Sequence, residues 1–397
     1  MKTIVAIFAL FPLIVFGGIN TGPSTVTPAQ LAAARVVTNG ATWQVLYPSG
    51  GDDALMVSNA AVTYSNIWLM AGTFNASNTV VVPANTTIRG SGKDSTFWNP
   101  CQTNYVLFGT TNGVRVSFFP GTNMVLTDFT ILTGPSNPNG NLSTPVGSYS
   151  STYTNLKASL ITRNMRLGAN YDGIYWRYTK ATNSWIDFNS EIDFRWDFAV
   201  MGATANSFVT NFNTRYYNSG VLSNPSRCVW MQGGFADLQN CSFDYANNLG
   251  GNYAVYFDDT FFGTSTFARL KNCYVGDATI YGAGFPNSYV VNSGSAFSNS
   301  VAMDASLGGN QVVVEADWLL PNTAVQDAGT PTIVLGSTHD GLYSYTNSIG
   351  QNFDLGNGAF SQKGIAGITQ NISIQTNAGH GYILKYSGGI VTNSSTY

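Results

Sequence analysis

From about residue 65 onward the chain alternates apolar and polar side chains in short runs, each interrupted by Gly, Asn or Pro. No window of helical length carries an apolar repeat near 3.6 residues, so the pattern predicts many short strands. The runs also repeat. Val125-Leu126-Thr127-Asp128-Phe129, Asp237-Leu238-Gln239-Asn240-Cys241-Ser242-Phe243 and Arg269-Leu270-Lys271-Asn272-Cys273-Tyr274-Val275 each set an apolar residue, one spacer, Asn or Asp, then an apolar residue. Weaker copies centre on Asn164, Asp187, Asn211 and Asn299, which puts successive markers 36, 23, 24, 29, 32 and 27 residues apart.

One coil of a parallel β-helix needs three short strands and three turns, so a minimum spacing of roughly twenty-odd residues, with loop-lengthened coils above it, suits that architecture. Asn and Asp tolerate the left-handed backbone of a tight bend, and stacked amides hydrogen-bond from coil to coil. Propellers and sandwiches need closely spaced hairpin turns, and the chain lacks them. The residues after the markers, Phe129, Met165, Phe188, Phe212, Cys241 and Cys273, are expected to form one inward stack. Cys241 and Cys273 would then be neighbours in adjacent coils. Asp128 and Asp187 are read as turn formers.

Nearer the N-terminus stand Gly51-Asp52-Asp53-Ala54, Ile67-Trp68-Leu69-Met70-Ala71-Gly72-Thr73-Phe74 and Val81-Val82-Pro83-Ala84-Asn85-Thr86-Thr87-Ile88-Arg89-Gly90-Ser91-Gly92. This block resembles the opening of pectate-lyase-superfamily proteins: an acidic pair, a helix, a strand, then a second strand running into an Arg-Gly-x-Gly turn. It departs from them at Ala71-Gly72-Thr73-Phe74, where a Pro is usual. The resemblance implies an all-β, right-handed parallel β-helix. It implies no single function, because that superfamily holds lyases, hydrolases, epimerases, phage tailspikes and inert surface proteins.

Composition narrows the partners. Charged residues make up 9% of the chain and aromatics 13%, with a formal charge of -3 and no charge run. Nucleic acid and anionic membranes call for a basic stripe, so both are set aside. Lys2, the apolar stretch from Ile4 to Phe16 and Gly17-Gly18 read as an export signal over residues 1–18, or as a retained hydrophobic tail. Thirteen apolar residues are too few to span a bilayer. Cys101, Cys228, Cys241 and Cys273 show no metal-binding spacing, and with only His339 and His380 available no metal site is expected. The coils are placed in residues 19–305, and 306–397 are either further coils or a separate C-terminal β module.

The densest charge cluster is Glu191-Ile192-Asp193-Phe194-Arg195-Trp196-Asp197-Phe198. Its strict alternation puts Glu191, Asp193, Arg195 and Asp197 on one strand face. Registering coils on their markers stacks Gly168, Glu191, Arg215 and Asp244 in one column and sets Asp172 beside Arg195. Tyr175, Trp176, Tyr216 and Tyr217 flank the patch. Glycoside hydrolysis needs one protonated and one ionised carboxyl, and residues i and i+2 on a strand lie about 6.6 Å apart, within the span of an inverting pair. Glu191 and Asp193, with Arg195 and Asp172, are therefore the catalytic candidates. Arg215, Asp244, Asp197, Tyr175, Trp176 and Tyr217 are the substrate-binding candidates. A calcium-assisted lyase built on Asp172, Asp193, Asp197 and Arg195 is a lesser alternative, and otherwise no cofactor is called for. The same charges would also suit a surface salt-bridge ladder.

These features point to an exported β-helix protein that binds polysaccharide, with inverting glycoside hydrolysis as its chemistry if it is an enzyme. The competing reading is a non-enzymatic structural protein of a cell or virion surface, such as a spike, an adhesin or a self-associating filament subunit.

Overall fold

The computed structural model describes residues 35–38, 40–101, 115–133, 143–148, 158–169, 173–176, 183–194, 198–202, 207–217, 227–231, 233–244, 253–258, 266–276, 279–283, 288–293 and 295–297, and beyond these the strands between 301 and 396. The segment 1–18 and the marker Asn299 lie outside the described residues.

The chain winds as a right-handed parallel β-helix. Among the described residues, three long sheets of 13, 11 and 11 strands take one strand each from successive coils. A representative coil contributes Asn183–Phe188 to the first sheet, Glu191–Phe194 to the second and Phe198–Gly202 to the third. Neighbouring coils pair in parallel throughout, except where Arg35–Thr38 runs antiparallel to Ala41–Leu46. The three sheets continue through Thr332–Leu335, Thr338–His339 and Ser344–Asn347. Further along, Asn371–Gln375, Gly381–Ser387 and Ile390–Thr396 pair antiparallel as a three-stranded sheet.

Asx residues make the bend from first to second sheet. Asp128, Asn164, Asn189, Asn213, Asn240 and Asn272 have φ between 49° and 62°, the left-handed region that Asn and Asp enter most easily. Two of the marker positions therefore need correcting. At the middle coils the bend falls on Asn189 and Asn213, not on Asp187 and Asn211, and the spacing tightens. Side-chain amides bridge the bends, Asn164 to Asp128 and Asn213 to Asn189, each at 2.9 Å. Asp128 is a turn former as expected. Asp187 is not: it points inward.

Inside, the second sheet stacks Phe74, Trp98, Ile131, Leu167, Ile192, Tyr216, Phe243 and Val275, all fully buried. Directly after the bends, Phe129, Met165, Cys241 and Cys273 are buried as expected. Phe188 and Phe212 are not members of that stack; Ser190 and Thr214 hold their places, at 1% exposure each. The two phenyl rings lie half-buried on the outside, stacked on one another at 5.3 Å.

The N-terminal block caps the solenoid. Helix α1, Ala54–Thr63, covers the open end with Ala54, Val57, Ala60 and Ala61. Its acidic pair is structural. Asp53 accepts the Ser49 and Asn75 amides at 2.8 and 2.9 Å, and Asp52 accepts those of Ala54 and Ser77 at 3.1 and 3.0 Å. In the Arg89-Gly90 turn a Cβ on Gly90 would meet the Asp128 carbonyl oxygen at 2.3 Å, so glycine alone permits that close approach.

Candidate functional site on the outer face of the second sheet

The bend at Asn189-Ser190 sets the parity of the next strand. In Glu191–Phe194 the burial alternates, so Ile192 and Phe194 face the core while Glu191 and Asp193 face outward. The register assigns two outward columns: Arg166, Glu191, Arg215, Ser242 and, beside it, Gly168, Asp193, Tyr217, Asp244. The expected column was partly wrong. Glu191 and Arg215 are cross-strand neighbours, but Gly168 and Asp244 belong with Asp193, because the middle bends fall two residues later than the markers suggested.

Glu191 accepts from Lys93 Nζ at 2.7 Å and from Arg166 Nε at 3.1 Å. Arg166 also reaches Asp94 at 3.4 Å. Lys93 arrives from the Gly-rich turn, held there by the Thr130 hydroxyl donating to its carbonyl at 2.5 Å. Partial burial pushes the Glu191 carboxyl up. The hydrogen bonds and charges of Lys93 and Arg166 outweigh this and hold it below its ordinary value. It is an ionised acceptor. Arg215 Nε donates to Asp244 Oδ2 at 2.9 Å, with its guanidinium 4.9 Å from the Tyr217 ring centre. Partial burial raises the Tyr217 phenol, and the nearby charges of Asp193 and Glu191 raise it further.

Of the other candidates, Tyr175 and Trp176 sit on Ile174–Trp176, a strand of the third sheet rather than of the sheet that carries Glu191. Tyr216 does not flank the patch either; it is buried against Phe243, the rings parallel at 4.9 Å. Asp172, Arg195 and Asp197 lie outside the described residues. Among the described residues no group of three His, Cys, Asp or Glu is placed to hold a metal ion, and no helix is long and apolar enough to cross a membrane.

Sequence reasoning missed Lys93 and Arg166, which lie 98 and 25 residues from Glu191. It also missed a cluster on the outside of the third sheet, where the Arg227 guanidinium lies 4.6 Å from the Trp230 ring and 4.4 Å from Tyr256. Tyr253 packs on Tyr256 at 5.2 Å. A signal was available: Arg227-Cys228-Val229-Trp230 and Tyr253-Ala254-Val255-Tyr256 repeat one four-residue pattern in neighbouring coils.

No family model matches the chain, and no curated protein matches it in sequence. Several solved structures superpose on it in part. ORF18 of Geobacillus virus E2 superposes with a TM-score of 0.41 at 11% identity, covering 89% of this chain and 76% of the other. The catalytic domain of a GH87 alpha-1,3-glucanase in complex with nigerose gives 0.42 at 10% identity, covering 78% and 68%. Tailspike gp49 of Acinetobacter baumannii bacteriophage Fri1, a capsular polysaccharide depolymerase, gives 0.40 at 12%, covering 85% and 67%. At these identities and TM-scores the likeness adds nothing on function, and the right-handed parallel β-helix stands on the chain's own strand pairing.

Proposed function

We propose that this is an exported protein that engages polysaccharide on the outer face of its second sheet. The observation carrying this reading is the cross-strand pair of Asp193 and Tyr217, set beside the cross-strand pair of Glu191 and Arg215 in the adjoining column. A sugar ring needs an aromatic surface for its C–H face and charged acceptors and donors for its hydroxyls, and that group supplies both. Asp244 braces Arg215. In sequence Arg195 and Asp197 follow directly from the same strand. Tyr175 and Trp176, on the third sheet, are not part of this face.

If the site cleaves, Glu191 and Asp193, at i and i+2 on one strand face, are the carboxyl pair an inverting scheme would use. No cofactor enters this scheme. The test is a glycan array combined with reducing-sugar release, run on wild type, Tyr217→Ala and Asp193→Asn. Tyr217→Ala is expected to weaken binding more than tenfold, and Asp193→Asn to abolish any release, with folding intact in both. A wild type that binds no glycan, or variants that bind as wild type does, overturn the reading.

A specific observation favours a second reading, assembly of copies through the first sheet. Its outer face places Phe208, Phe235 and Phe267 in one column, with Phe208 43% exposed and the Phe235 and Phe267 rings stacked at 5.1 Å. Exposed apolar rows of this kind mark contact surfaces. Concentration-dependent sedimentation that disappears in Phe208→Ser would favour it.

A further inference from the structure

The chain brings two of its four thiols together in a way the site does not use. Cys241 and Cys273 each follow an Asx bend in consecutive coils, and both are buried, at 1% and 3% exposure. Register pins them opposite one another. Gln239 pairs with Lys271 on one side and Ser242 with Tyr274 on the other. The Asn240 amide donates to the Lys271 carbonyl and the Tyr274 amide to the Cys241 carbonyl, both at 2.9 Å. Parallel neighbours lie one strand spacing apart, about 4.8 Å, which falls inside the roughly 4.4–6.8 Å Cα span of disulfides. Both side chains point into the same interior column. Each thiol meanwhile satisfies itself weakly on carbonyls, Cys241 with that of Asn211 at 3.4 Å and Cys273 with that of Leu238 at 3.3 Å.

We propose that Cys241 and Cys273 are an oxidation site, joined by thiol–disulfide exchange into a covalent bond between adjacent coils. The oxidant is a small or protein disulfide. One cysteine thiolate attacks it and releases one thiol, and the second cysteine thiolate then displaces the other from the mixed disulfide. Two cysteine thiols and one external disulfide become one internal disulfide and two external thiols, a two-electron exchange that leaves nothing over. The bond closes the coil of residues 242–272, the coil that carries Asp244. Burial, and then the neighbouring Cys273, push the Cys241 thiol well up, so the finished fold offers little thiolate. The bond therefore forms while the coils are still closing.

The test synthesises the full chain in a mixture of oxidised and reduced glutathione, alkylates it in denaturant without reductant, and maps its peptides by mass. The expected product is a linked pair of peptides carrying Cys241 and Cys273, with Cys101 and Cys228 alkylated. Adding a phosphine reductant should lower its melting temperature. Cys241→Ser and Cys273→Ser should each melt near the reduced wild type and ignore the reductant. Should either variant fail to fold, the wild-type map alone decides. Folded wild type with all four cysteines alkylated, or with a bond from either residue to Cys101 or Cys228, overturns the proposal.

Discussion

Asp187 and Glu191 stand in one coil, on consecutive strands separated by the bend at Asn189-Ser190, yet their surroundings are opposite. Glu191 sits on the outside between Lys93 and Arg166. Asp187 is fully buried, and its partners are hydroxyls and an amide. It accepts the Thr162 hydroxyl from the preceding coil, the Thr214 hydroxyl from the following one, and the Ser190 amide of its own at 3.2 Å. Trp185 Nε1 donates to Thr162 at 2.8 Å and completes the network. One acid is steadied by charge at the surface and the other by hydroxyls in the core. The comparison shows that strand parity, not residue type, decides which carboxylate can meet a ligand.

The largest effect should come from the interior acid. Asp187→Ala strips acceptors from two hydroxyls and an amide inside the solenoid, and unsatisfied buried donors cost about 1–3 kcal/mol each. A loss of about 3 kcal/mol or more in chemical denaturation is expected, allowing for hydroxyls that rotate to other partners. A loss below about 1 kcal/mol would mean that this network does not tie the three coils.

A smaller effect is expected where parity misled. Phe212, expected in the core, is half-buried and stacked on Phe188. Phe212→Ala should cost about 1 kcal/mol, the worth of one aromatic contact and partial burial, rather than the about 3–5 kcal/mol of a core phenylalanine. Phe129→Ala, at 0% exposure, is the control that should show the full core value.

The repeat was legible because buried aliphatics recur with the coil: Leu126, Leu238 and Leu270 precede their bends in one inward column. At the two middle coils that column holds Asp187 and Asn211, and the outward spacers before the bends are Phe188 and Phe212. Polar-inside and aromatic-outside inverts the binary pattern, so the markers slid two residues onto the wrong Asx. Only the partners in the folded coil reveal why polar groups are tolerated there: Thr162 and Thr214 for Asp187, Tyr216 for Asn211. The charged strand itself was readable from alternation. Its cations were not, because Lys93 reaches Glu191 from a turn 98 residues away, and no local spacing encodes that contact.

The smallest effect on stability belongs to Glu191, and pH makes it separable from Asp187. Burial raises the Asp187 carboxyl above 3.8, although Ser190, Thr162 and Thr214 pull it back in part. Its contribution is therefore fully present below that unfolded value and is lost as pH rises through the folded one. Glu191 is held below 4.5, so its contribution is present above that value and is lost as pH falls through the folded one. Denaturation measured across the acid range should consequently show opposite changes of slope in Asp187→Asn and Glu191→Gln. At neutral pH Glu191→Gln removes half-exposed ion pairs, worth about 0–1 kcal/mol, so its melting point should barely move. The substituted amide keeps the size of the side chain but gives Lys93 and Arg166 no charge to hold. If this face engages sugar, the same variant should lose affinity while its stability is nearly unchanged. Equal glycan affinity in wild type and Glu191→Gln, together with an unaltered acid limb, would leave the ladder a structural feature and move the weight of argument to the aromatic face of the first sheet.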